Sequence, residues 1–237
     1  MTIRSKRYKD TVTAVDTEKS YGPIEAIALV KKAATAKFDE TVEAHLRTGA
    51  DPRHADQQLR GVAMLPKGLG KPVRVLVFAQ GEALQAARDA GADYVGTDDL
   101  IQQIEGGWTE FDTSIATPDM MGRVGRLGRI LGRKGLMPNP RTGTVVQPQD
   151  VARAVEEAKQ GRVEVRMDRT AIIHVAIGKA SFEEDALVEN FAAVMEMINR
   201  NRPPAVKGQF IRSGYLTSSM GPSVRLDLGA LQSLHVE

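Results

Sequence analysis

Residues 120–141 read MMGRVGRLGRILGRKGLMPNPR, the stretch best equipped for chemistry with a charged partner. Arg123, Arg126, Arg129, Arg133, Lys134 and Arg141 stand in it, with no acidic residue to neutralise them. Gly122, Gly125, Gly128, Gly132 and Gly135 are threaded between the charges. Glycine lets a backbone approach a partner closely and adopt positive φ. Arginine offers a planar fork of donors that matches phosphate oxygens. Together they predict a partner with many phosphates, which puts nucleic acid ahead of a single nucleotide.

The nucleotide alternatives lack their residues. A Walker loop needs Gly-Lys-Ser or Gly-Lys-Thr after its spacer, and none occurs. A dinucleotide turn needs GxGxxG after a strand, and the run VRVLVFA is followed only by Gln80-Gly81. Gly132-Arg133-Lys134-Gly135 matches the bare GxxG of a KH loop, which leaves a KH-like RNA module as a rival. His45 lies two residues from Glu43, but neither it nor His174 has a partner at metal-ligand spacing. No nucleophile–base set is present, so no catalytic residue, metal or cofactor is assigned.

A second constellation is spread along the chain. Lys37-Phe38-Asp39-Glu40-Thr41 falls at a helix-to-strand junction, and Thr217-Ser218-Ser219-Met220-Gly221-Pro222 falls in a hairpin. Small hydroxyls, a methionine and a glycine suit close approach to an RNA minor groove and its 2′-hydroxyls. Taken alone, Phe38 reads as core and the hairpin as a turn.

The elements that must position these residues come in two textures. The chain has 237 residues, 42% of them hydrophobic, enough for one or two domains. Residues 23–38 predict a helix with proline in its first turn. Residues 41–47 then alternate, as does the stretch around 162–168, the pattern of strands with one wet face. Residues 73–79 are almost continuously apolar, as a strand buried on both faces requires, and helices and short strands alternate after it. A helix over 182–201 stops before Pro203-Pro204, and strands over 209–216 and 224–228 follow. The flanks share a texture that the middle lacks. The expected fold is α/β with two domains. One is a discontinuous α+β outer domain with a wet-faced sheet, residues 1–67 and 161–237. The other is an inserted Rossmann-like α/β domain, residues 68–160. Glycines and Pro66 at the crossings are compatible with a hinge.

The net charge is only +2 because local asymmetries cancel. Nine acids and one base occupy residues 82–119, whereas Arg4, Lys6, Arg7 and Lys9 open the chain. There is no cysteine, no membrane-length apolar run and no signal-peptide pattern, so the expectation is a cytoplasmic protein.

Three long motifs add up to a resemblance. ATAKFDETVEAHLRTGADPRHADQQLRG, ATPDMMGRVGRLGRILGRKGLMPNPRTGTV and KGQFIRSGYLTSSMGPSVRLD resemble the signature regions of the bacterial large-subunit ribosomal protein L-one family, in its order and spacing. The resemblance implies a non-enzymatic protein that binds large-subunit ribosomal RNA in the mobile stalk near the exit site. It further implies help in releasing deacylated exit-site tRNA, and repression of its own operon by binding that mRNA. Away from the ribosome the expected state is a monomer. The implied RNA surface comprises Lys37, Phe38, Thr41, Glu43, Asp168, Thr170, His174, Ser213, Ser219, Met220 and Gly221. Arg133, Lys134 and Arg141 become an auxiliary contact. The chain departs from the family pattern in four places. Arg133 stands where proline is usual, Ser219 where threonine is usual, and Met167 and Ala171 replace a common asparagine and glycine at a hairpin turn.

Overall fold

The computed structural model describes residues 5–234; Arg4 lies outside them. The chain forms two compact units, one drawn from both chain ends, up to Gly70 and from Val163 on, and one comprising Lys71–Arg162.

In the first unit, α1 (Lys6–Val12) and α2 (Pro23–Ala33) precede β1 (Thr41–Thr48) and β2 (Arg60–Met64). Pro23 begins α2, where its missing N–H is no loss. β1 is buried at alternate residues, as its sequence pattern demands: Val42, Ala44 and Leu46 point inward.

The second unit holds β3 (Val75–Phe78), α3 (Glu82–Asp89), β4 (Tyr94–Gly96), α4 (Asp98–Glu105), β5 (Thr113–Ala116), α5 (Pro118–Val124), α6 (Gly128–Lys134) and α7 (Val151–Lys159). Its strands run parallel in the order β4-β3-β5. All four residues of β3 are buried because helices cover both faces. α3 and α7 close one side over Val75, Val77 and Ile115. α4, α5 and α6 close the other over Leu76, Phe78 and Ala116.

The chain then completes the first unit with β6 (Arg162–Arg166), β7 (Ile172–Lys179), α8 (Glu184–Arg200), β8 (Ile211–Ser218), β9 (Val224–Arg225) and α9 (Leu228–Gln232). The main sheet has the order β7-β1-β8-β9, and β2 pairs with β6 in a separate ribbon. α8 buries Leu187, Phe191, Val194, Met195 and Ile198, a three-and-four spacing that makes one apolar face. Truncating a fully buried phenylalanine such as Phe191 costs about 3–5 kcal/mol.

The crossing out of this unit is pinned. The buried Asn190 amide accepts from the Lys67 N–H at 3.0 Å and donates to the Gly68 and Ile177 carbonyls at 2.9 and 2.8 Å. Gly70 has φ 71°, and a Cβ there would meet the Phe182 ring at 2.7 Å, so only glycine fits.

Two expectations need correction. The glycine–arginine run does not, with one exception, use its glycines for positive φ. It is α5, a 3₁₀ turn and α6 in succession, and of its five glycines only Gly135 has positive φ, as the cap of α6. Met120, Val124, Leu127 and Leu131 recur at helical spacing and are fully buried, and that apolar stripe overrides glycine's preference for irregular backbone. The GxxG segment is therefore the last turn of a helix and its cap. The expected final strand over 224–228 also shortens to two residues and yields to α9, whose cap is the Asp227 carboxylate accepting from the Gly229 N–H.

Candidate nucleic-acid interface

The wet face of the main sheet is a ladder of cross-strand rows. Glu43 on β1 stands between Ala176 of β7 and Thr217 of β8. His45 stands between His174 and Tyr215, and Arg47 between Ile172 and Ser213. Ser213 therefore sits several residues along the strand from Ser219 and Met220.

At one end of this face, one carboxylate organises two loops. Glu40 is 1% exposed. Its Oε1 accepts from the Ala36 N–H at 2.8 Å. Its Oε2 accepts from the Ser218 hydroxyl at 2.7 Å and the Met220 N–H at 2.9 Å. Arg7 Nη1 lies 3.9 Å away. Burial pushes the Glu40 pKa up, but the bonds from Ser218, Ala36 and Met220 and the Arg7 charge outweigh it and hold the group below its ordinary value. The loop carrying Lys37 and Phe38 is thereby fixed against the hairpin carrying Ser219 and Met220.

Phe38 is 55% exposed and Met220 51% exposed, so neither joins the core. The backbone beneath them is locked as well. Ser219 donates its N–H to the Thr41 carbonyl at 3.0 Å and accepts the Thr41 N–H on its hydroxyl at 3.0 Å. Lys179 Nζ donates to the Thr41 hydroxyl at 2.8 Å. At Gly221 the Ser218 hydroxyl fills the space a Cβ would need, so glycine there permits the Ser218–Glu40 bond.

Asp168 and Thr170 shape the turn between β6 and β7. Asp168 Oδ1 accepts from the Thr170 and Ile172 N–H groups, each at 2.8 Å, and Oδ2 from the Thr170 hydroxyl at 2.6 Å. Desolvation opposes these bonds, but they and His174 hold the Asp168 pKa down at about 2. The turn ends on Ala171 at φ 62°, a left-handed conformation unusual for a residue with a Cβ. It is held because the Ala171 carbonyl accepts both the N–H and the hydroxyl of Thr48, at 2.8 and 2.9 Å.

His174 and His45 meet through their Nδ1 atoms at 2.8 Å, so one must donate and the other accept. Each Nε2 faces a carboxylate: His174 toward Asp168 at 3.5 Å and His45 toward Glu43 at 3.8 Å. Burial, then the neighbouring His174, lowers the His45 pKa, and Glu43 partly restores it. Among the described residues, no group of three or more His, Cys, Asp or Glu could hold a metal ion.

The auxiliary residues lie in the second unit. Arg133 is exposed on α6, and Lys134 Nζ donates to the Thr109 hydroxyl. Arg141 is exposed on a 3₁₀ turn whose cap is Asn139, accepting from the Arg141 N–H at 2.8 Å.

Sequence reasoning passed over Glu40, His45 and Tyr215 as site residues. For His45 and Tyr215 the strand alternation was an available signal, since both fall on the wet side. For Glu40 the local bond from Ala36 gives no sign of burial, because the partners that bury it, Ser218 and Met220, are remote in sequence.

The sequence model of the ribosomal protein L1p/L10e family matches residues 30–222. The chain is similar to the large ribosomal subunit protein uL1 of Chloroflexus aggregans, 59% identical over 235 residues and 99% of each chain. It is 57% identical to that of Chloroflexus aurantiacus over 235 residues, again 99% of each. It is 55% identical to that of Dehalococcoides mccartyi over 234 residues, 99% of each. With one family model spanning most of the residues and such identity holding from end to end, the chain belongs to the ribosomal protein L1p/L10e family.

Proposed function

We propose that this protein is a structural component of the large ribosomal subunit, cytoplasmic and ribosome-bound, and that its first unit grips folded ribosomal RNA of the stalk. The observation that carries this reading is the Glu40 junction. Two large apolar side chains, Phe38 and Met220, stand in solvent on backbone that a buried carboxylate holds rigid. Apolar groups held out of the core on a fixed scaffold are what a binding surface needs. Phe38 and Met220 would pack on sugar and base, and Lys37 would meet phosphate. Glu43 accepts hydrogen bonds and repels phosphate, so it suits 2′-hydroxyls, the group that tells RNA from DNA. Asp168 would act through the turn, aiming Thr170 and His174. Ser213 would add a hydroxyl farther along the face, while Arg133, Lys134 and Arg141 would supply an auxiliary phosphate contact.

Family resemblance supports two finer roles on the same reading: assisting release of deacylated exit-site tRNA, and repressing the protein's own operon by holding its mRNA on the surface that holds rRNA. The test is competition binding. A stalk fragment of ribosomal RNA should resist an unrelated duplex of equal length by about a thousandfold or more. Equal displacement by the duplex would mean phosphate attraction alone and would remove the reading.

A further inference from the structure

At the opposite end of β1 from the Glu40 junction, the sheet opens into a cleft of about 480 Å³. Arg47, Arg53, Arg169 and Arg212 line it, with Asp51 as the one acidic residue. All four arginines are exposed, and among the described residues none of their side chains has an ion pair or hydrogen bond. Four guanidiniums against one carboxylate repel one another unless an anion joins them, so the folded unit maintains unneutralised positive charge here.

Three segments build the cleft, and each is tied down. The end of β1 is bonded to the β6–β7 turn through Thr48 and the Ala171 carbonyl. The Gly49 N–H donates to the Phe210 carbonyl at 2.7 Å, which fixes the start of β8. There β8 carries a bulge: Arg47 opposes Ser213 and Thr48 opposes Ile211, leaving Arg212 as the extra residue. A bulge re-aims the side chain it carries, and this one delivers Arg212 to the cleft. The left-handed Ala171 closes the turn that presents Arg169.

We propose that this cleft is a second phosphate site, which takes a backbone phosphate of the bound RNA away from the Glu40 junction. The inference rests on the RNA-binding reading above. No aromatic ring lines the cleft to sandwich the base of a free nucleotide, whereas four cations are gathered there. Guanidinium forks match phosphodiester oxygens. Arg47 lies six strand rises along β1 from Thr41, about 20 Å, so the junction and the cleft would hold different phosphates of one RNA.

The experiment is the salt dependence of binding to the stalk fragment, comparing the wild type with Arg47→Gln plus Arg212→Gln. Arg88→Gln, an exposed residue of the other unit, shows what losing an arginine outside the cleft does. Circular dichroism checks folding, and Arg169→Gln, on an exposed turn, replaces the double variant if that fails to fold. The double variant should show a salt slope shallower by about 1, so its affinity deficit shrinks about tenfold as salt rises tenfold. Arg88→Gln should keep the wild-type slope. A wild-type slope in the double variant, or an equal change in Arg88→Gln, overturns the proposal. In a parallel arm, inorganic phosphate alone is titrated while NMR follows the arginine side chains. Saturation there with no change in RNA slope would make the cleft a free-anion site, and overturn the proposal too. If the wild type itself prefers the fragment no more than a duplex, the RNA reading fails and takes this inference with it. If it does prefer the fragment and the slopes agree, only the cleft falls.

Discussion

Replacing Glu40 by glutamine removes one charge and changes almost nothing in size, so it isolates what the buried carboxylate does. In the native protein, both oxygens accept, from Ala36 on one side and from Ser218 and Met220 on the other. Glutamine can present only one carbonyl oxygen. Turned toward Ser218 and Met220, its amide N–H groups confront the Ala36 N–H, donor against donor. One bond to a charged group, about 1.5–3 kcal/mol, is lost, and two others weaken by about 1 kcal/mol each as the acceptor becomes neutral. Relief from burying a charge offsets part of this, leaving a net cost of about 2–4 kcal/mol. Urea unfolding of the first unit, followed by circular dichroism, measures it. The pH dependence provides a second readout. Because the folded pKa lies below the ordinary 4.5, the carboxylate's contribution is full above that value and is lost as pH falls through the folded pKa. The gap between wild type and Glu40→Gln should therefore narrow in acid. A double-mutant cycle with Ser218→Ala should show coupling of about 1 kcal/mol or more. A glutamine variant within about 0.5 kcal/mol of wild type at neutral pH, with an unchanged acid limb, would refute the reasoning.

Further expectations follow from other elements. Ala171→Val forces a β-branched residue into φ 62° and should cost about 2 kcal/mol, whereas Ala171→Gly should stay within about 1 kcal/mol of wild type; equal melting temperatures for valine and alanine would contradict this. Asp112 is held at about 2 by Lys71 first, against desolvation, with help from the Arg74 N–H and side chain. It should give the second unit up to about 2 kcal/mol above pH 4, lost as pH falls toward 2, and Asp112→Asn should abolish that dependence. The sole tryptophan, Trp108, packs on Tyr94 and Phe111 and reports that unit by fluorescence. Because the His45 pKa is lowered, the unfolded chain binds more protons than the folded unit below about pH 6.5, so stability should fall there. His45→Gln should flatten that limb, and an identical limb in both proteins would remove the paired-histidine account.

The sequence carried much of this architecture, for reasons that differ along the chain. The wet-faced strands were legible because alternation survives wherever one face is covered: Val42, Ala44 and Leu46 need no knowledge of what packs on them. The continuous apolar run of β3 was legible for the complementary reason. In the glycine–arginine stretch the glycine content and the spacing point different ways, and the spacing of Met120, Val124, Leu127 and Leu131 is what the fold obeys. The arginine cleft was not legible, because Arg212 reaches it through a bulge that appears only when β8 is paired with β1. Glu40 is visible in the sequence only as one residue of the 37–41 helix-to-strand junction, with nothing to mark it as buried. Its burial is decided by loops brought together from opposite ends of the chain, a contact no local window contains.

The central claim is that specific RNA binding resides at the Phe38–Met220 junction, not in the basic helix of the second unit. Competition binding of the stalk fragment by Met220→Asp, beside Arg133→Ala with Lys134→Ala, tests it most directly. Placing a carboxylate on the exposed junction should abolish preference for the fragment over an unrelated duplex, while the double alanine variant should weaken binding and keep the preference. The opposite pattern, a harmless Met220→Asp and a double variant with no preference left, would contradict the account and move the specific site to the end of α6.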